Sequence, residues 1–149
     1  LNTIVVLEPG EATDSDRVRH LCGAFAIASL HYSYDQWRNF GRLPRNPAVL
    51  DVWDDYTALL DQTPEEIRHQ RVHAGHNSWV VPEEERFVTK ALIESSCLVG
   101  TEDTIVERLL GLEQVGVDQM MLLPPLAPRY EVIRTVGERI IPALAQATA

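Results

Sequence analysis

Cysteine, positive charge and long apolar runs are all scarce in this chain, and each scarcity closes off a class of protein. Cys22 and Cys97 are its two cysteines in 149 residues. Two thiols far apart in sequence, each inside an apolar run, build no disulfide framework. Buried, reduced thiols of a cytoplasmic protein are the expectation. Lys and Arg number 13 against 22 Asp and Glu, a formal net charge of −9, which disfavours nucleic acid and anionic membrane surfaces as partners. No window approaches the roughly 18 uninterrupted apolar residues of a membrane span. The first residues also lack the basic, then apolar, then small-residue order of a signal peptide. Repeats and low-complexity tracts are absent too. With 45% apolar residues, the composition is that of one ordinary globular domain with a real core.

The richest stretch runs from Cys97 to Leu123. Cys97-Leu98-Val99 is a short apolar strand ended by Gly100; Thr101 is placed to cap a helix, and Glu102 and Asp103 suit that helix's positive end. Ile105, Leu109 and Leu112 mark one helical face. After Gly116, the run from Asp118 to Leu123 is apolar on consecutive positions, which predicts a parallel strand buried on both faces. Pro124-Pro125 ends it. A last helix is expected from about Pro128, with Ile133, Val136, Ile140 and Leu144 inward. Near the front, residues 3–7 read as a strand, and Glu8-Pro9-Gly10-Glu11 as a turn. Thr13 to Asp16 offers several caps for a helix beginning near Asp16, with Val18, Leu21, Cys22, Phe25, Ala28 and Ser29 on its small-residue face. The aromatic segment His31–Phe40 predicts a second helical piece, and residues 41–47 a break. A helix from Pro47 to about Leu60 follows, with Val49, Val52, Trp53, Tyr56 and Leu60 as its stripe. Another opens at Thr63-Pro64-Glu65-Glu66, where Thr63 can cap and Glu66 holds the capping-box position, and ends near Gly75. Residues 77–89 settle into no pattern and read as a long loop, the kind that often carries function.

Several residues are candidates for chemistry. His73 and His76, spaced i, i+3, present two imidazoles on one side of a helix, although no third ligand stands at a fixed spacing and no metal site is expected. The alternative is a helix C-cap with solvated histidines. Glu8 and Glu11 follow the first strand and are suited to act as acid, base or hydrogen-bond acceptor, or simply to favour the next helix's N-terminus. Gly100-Thr101 has the form of a phosphate cradle, but the neighbouring carboxylates favour plain capping. Arg129, after Pro128, has similar geometry without that penalty and is a candidate anion binder. Tyr32, Tyr34, Trp37 and Phe40 suit core packing, a pocket wall or a subunit contact, and His31 suits a hydrogen-bonded structural role.

The order of these motifs resembles one family. Residues 97–103, Glu107-Arg108-Leu109, Gly116-Val117-Asp118-Gln119 and residues 121–125 are similar to the last two β/α units of the bacterial luciferase-like flavin-dependent oxidoreductases, whose members include deazaflavin-dependent enzymes. Residues 5–11 with 15–18, and 71–76 with 85–89, resemble one branch of that family. The resemblance implies an α/β fold, the C-terminal part of a (β/α)8 barrel, with residues 3–7, 97–99 and 118–123 as its sixth to eighth parallel strands. A barrel takes about 250 residues, so the first five strands are expected to be missing from this single-domain chain, which begins with Leu1 and enters the 3–7 strand almost at once. The cofactor implied is FMN or the deazaflavin coenzyme F-420, and the chemistry hydride transfer or monooxygenation of a small organic substrate. Most flavin contacts would come from the missing half. By the same likeness Glu8, His73 and His76 are the catalytic candidates at the barrel mouth, and Glu11, Gly75 and Arg129 the candidates on the cofactor side.

Two other readings compete. An α-rich interaction module would cover its open strand edges by forming a homo-oligomer. A metal-dependent barrel would use His73 and His76.

Overall fold

The computed structural model describes residues 2–147. Ile4-Val5-Val6 and Leu98-Val99-Gly100 form strands β1 (Ile4–Val6) and β2 (Leu98–Gly100), every residue of which is buried. They pair in parallel, Ile4 opposite Leu98 and Val6 opposite Gly100. Leu98 N to Thr3 O (3.0 Å) and Leu7 N to Gly100 O (2.8 Å) extend the ladder. These are the strands of the described residues, so the architecture is helix-rich α/β with one parallel pair.

The expected third strand does not join it. Leu123 N does bond Asn2 O at 2.7 Å, but Thr3 and Leu7 already face β2, so by alternation along the strand the Asn2 carbonyl lies on the opposite edge of β1. A barrel built in chain order needs that segment beside β2. Met120 and Leu122 pack inward against a cluster containing Ile4, Val6, Leu98 and Ile105, whereas Met121 and Leu123 are exposed. The run thus buries alternate side chains, but it meets the far edge of β1 rather than β2 and forms no regular strand among the described residues.

Helix α1 (Asp16–Phe40) is continuous through 25 residues, absorbing the aromatic segment expected as a separate piece. Ser15 caps it by accepting from Val18 N, and Gly41, at φ 64°, ends it. Its burial extends around most of the cylinder, because β1, the 77–88 segment and later helices pack on different sides. Tyr34, Trp37 and Trp53 meet edge-on or tilted in the core, while Tyr32 and Phe40 face outward. The expected helix 47–60 divides at Asp51-Val52 into α2 (Pro47–Leu50) and α3 (Trp53–Asp61). Helix α4 (Glu65–Val72) starts without the expected cap: Pro64 holds the N-cap position and no side chain bonds there.

The stretch 77–89 is ordered. It contains a 3-10 turn, Pro82–Phe87, that buries Glu84 and Phe87. Thr89 then caps α5 (Lys90–Ser96), the principal partner of α1. Helix α6 (Glu102–Gln114) is capped by Thr101 as expected, and buries Ile105 and Leu109, with Leu112 at the edge. Helices α7 (Arg129–Thr135) and α8 (Ile141–Ala147) are joined by a π turn at residues 136–140. Pro142 lacks the N–H a regular turn would use there, which accounts for the widening. The inward stripe includes Val132 rather than Ile133, which is exposed. Cys22 and Cys97 are buried free thiols brought side by side, Cys97 Sγ lying 4.0 Å from Cys22 O. No described helix is long and apolar enough to cross a membrane.

Candidate functional site

The candidates separate into two groups. The first lies at the carboxyl end of β1, where Arg17, the second residue of α1, donates to Val6 O at 2.9 Å. Arg17 also grips Glu11, Nε to Oε1 at 2.9 Å and Nη2 to Oε2 at 2.5 Å. Glu11 further accepts from Ser15 Oγ and from Glu8 N. Arg17's hydrogen bonds in particular hold the Glu11 carboxyl at about 2, far below its usual 4.5. Its oxygens are therefore engaged in closing the turn and tying the start of α1, rather than turned toward a ligand. Glu8 accepts from Arg139 Nη1 at 3.0 Å, and the same guanidinium reaches Glu102 at 3.1 Å. One arginine of the C-terminal helical segment thereby joins the loops that follow both strands. Arg129 folds back on its own turn, donating to Leu126 O and lying 4.4 Å over the Tyr130 ring.

The second group surrounds the middle of α1. His31 and Glu84 are both almost completely shielded from solvent. His31 Nδ1 meets His76 Nδ1 at 2.9 Å. Holding that contact takes one N–H and one lone pair, so the two Nδ1 atoms share a single proton. His31 Nε2 lies 3.4 Å from Glu84 Oε1, which also takes Arg71 Nη1 at 3.1 Å and Tyr56 OH at 3.5 Å. A carboxylate beside Nε2 favours the tautomer in which His31 carries its proton there and His76 donates from Nδ1. Burial, then His31 and His73, push His76 below its ordinary range. Burial first, and the Glu84 charge second, raise the Tyr56 phenol. His73 is the C-cap of α4; it is half exposed and contacts Asp35 at 3.0 Å. Among the described residues no three His, Cys, Asp or Glu side chains converge to hold a metal ion.

The structure thus brings His73 and His76 together with His31, and Glu8 together with Glu11, but keeps the two groups apart. His31 lies 14 positions beyond Arg17 on one helix, about 21 Å along its axis at roughly 1.5 Å per residue. Gly75 serves the turn between the histidines: its φ is +71°, and a Cβ there would meet the Trp79 indole Nε1 at 2.9 Å. Sequence reasoning singled out neither Glu84 nor the contact between His31 and His76. In Glu83-Glu84-Glu85 no residue type marks the buried member, and the available signal was the 3-10 turn hidden in an unpatterned stretch.

A cavity of about 370 Å3 lies against the first turns of α1. It is bounded by Asp16, Arg19 and His20 from the start of α1, by Trp79 and Glu85, and by the turn holding Pro125 and Pro128. Its volume falls in the range of about 300–1,000 Å3 usual for small-molecule sites. No protein-family model and no solved structure matches the chain.

Proposed function

We propose that the chain forms the substrate-side wall of a flavin- or deazaflavin-dependent oxidoreductase of the luciferase-like class, acting on a small organic molecule. The observations that carry this reading are a parallel strand pair whose following loops are tied together by Arg139 through Glu8 and Glu102, and a cavity of small-molecule size against the first turns of α1. A flavin bound in such a protein supplies the hydride or electron chemistry. The described residues at the strand ends do not fit its phosphate. Arg17 is committed to Glu11, Arg139 to Glu8 and Glu102, and Arg129 to its own turn. The N-terminus of α6 is flanked by Glu102 and Asp103. The phosphate therefore belongs to residues outside this set. What these side chains do is orient the start of α1, tie together the loops after the two strands and keep Glu8 beside a cation.

The test is to express the full reading frame that contains this sequence and titrate it with FMN and with the deazaflavin, following cofactor fluorescence and reduction. Retention of one cofactor supports the proposal; a product that binds and reduces neither refutes it. The competing interaction-module reading draws on exposed Met121, Leu123, Tyr130 and Ile133. It predicts a stable homo-oligomer without cofactor affinity, which sedimentation analysis of the same sample distinguishes.

A further inference from the structure

We infer that the cavity beside Trp79 is a binding site for a planar heteroaromatic cation of one or two rings, and that it rejects anions. The inference stands on the cavity itself and does not require the flavin reading.

Trp79 is 59% exposed, an unusual position for an indole that is nevertheless tightly held. The backbone N–H groups of Trp79 and Ser78 both bond Gly75 O, at 3.0 and 2.8 Å. Gly75 takes a left-handed conformation that places the indole where any side chain at position 75 would strike it. One residue further on, Val80 packs against α1 at Gly23, where a Cβ would approach the valine methyl to 2.9 Å. Glycine disfavours helix interiors, so its presence at position 23 answers to this close approach. On the other side, His76 is bonded to His31. An exposed indole on a backbone anchored on either side and lining a cavity is the arrangement of a stacking platform, because the backbone's ordering cost is met before a ligand arrives.

The charges around it select the ligand. Asp16 and Glu85 line the cavity, and neither is engaged in an ion pair among the described residues. The arginine beside them, Arg19, spends its donors on backbone carbonyls: Nη2 on Glu85 O at 2.7 Å and Nη1 on Val88 O. Arg19 keeps its charge while it holds those carbonyls, so the lining sets two carboxylates against one guanidinium and favours positive charge, and the chain's net charge of −9 acts in the same direction. An indole face adds cation–π attraction. Pro125, Ala127 and Pro128 complete the wall with apolar surface.

Three probes sharing one ring and differing in charge test this: N-methylnicotinamide cation, nicotinamide and nicotinate. Each is titrated into the protein by calorimetry and by 1H–15N correlation of the indole N–H signals of Trp37, Trp53 and Trp79. The cation should bind tightest, nicotinamide more weakly and nicotinate not measurably, with the Trp79 signal moving. Trp79→Ala should weaken the cation about tenfold, while Trp79→Phe retains most of the affinity. Asp16→Asn should weaken the cation several-fold and leave nicotinamide unchanged. Far-UV circular dichroism confirms that each variant is folded. Nicotinate binding as well as the cation overturns the inference. So does cation binding that leaves the Trp79 signal still, or no cation binding at millimolar concentration.

Discussion

Removing the Glu84 carboxylate should cost the fold far more than its place in a run of surface-type residues suggests. The side chain is 0% exposed, and its Oε1 faces Arg71 at 3.1 Å, His31 at 3.4 Å and the Tyr56 hydroxyl at 3.5 Å. Glu84→Ala deletes the carboxylate from a buried pair, a change worth about 3–5 kcal/mol when the partner is left without solvent. Arg71 keeps 20% of its side-chain surface in water, which places the expected loss at the lower end, about 3 kcal/mol. Glu84→Gln keeps size and an acceptor and loses the charge, at a cost of about 1–2 kcal/mol. Urea unfolding followed by far-UV circular dichroism reads this directly. With a slope of about 2 kcal/mol per M, Glu84→Ala moves the midpoint down by about 1.5 M. Adding Arg71→Met to Glu84→Ala should recover about 1 kcal/mol or more, because the second substitution removes the stranded charge. A single-variant loss below about 1 kcal/mol, or strict additivity in the double variant, refutes the view that Glu84 anchors this cluster as a buried charge.

Three further outcomes are expected. His76 titrates below its usual 6.5 in the folded protein, so the unfolded chain takes up the proton first. Stability should then fall as pH drops below about 6.5 and level off once the folded-state ring titrates. His76→Asn should flatten that part of the profile, and a variant with an unchanged slope in pH-dependent denaturant melts would show that another group is responsible. Gly75→Ala, at φ +71° and against the Trp79 indole, should destabilise the fold by more than about 1 kcal/mol and broaden or shift the Trp79 indole N–H signal. Unchanged stability and an unmoved signal would show that the 75–79 turn relaxes freely. Contact with Cys97 and burial raise the Cys22 thiol, so a thiol reagent should label neither cysteine in native protein and both in denaturant. Rapid native labelling would contradict their burial.

Much of the local structure was legible because it depends on neighbours in sequence. Ser15 and Thr101 bond backbone amides three residues on, and Gly41 supplies the left-handed end of α1, each readable from residue type and spacing. Two of the expected strands formed where short apolar runs met breakers. The run 118–123 shows where such reading stops. Its composition asks for cover on both faces, but strand formation depends on which edge it meets, and among the described residues it meets the far edge of β1 at Leu123. The candidate site divides in the same way. Pattern could pick out His73 and His76, but pairing with His31 required a contact across 45 residues.

The residues alone determined an acidic, helix-rich α/β chain, its main helix caps, and the loops after its two strands where charged side chains gather, because these follow from composition and interactions within a few residues. Tertiary packing alone decided that Glu8 and Glu11 serve turns and ion pairs, that His76 pairs about 21 Å away with a His31 set against a buried glutamate, and that Trp79 lines a cavity. Burial and partner choice are properties of surfaces brought together from distant parts of the chain. No local pattern encodes which of three consecutive glutamates is taken out of water.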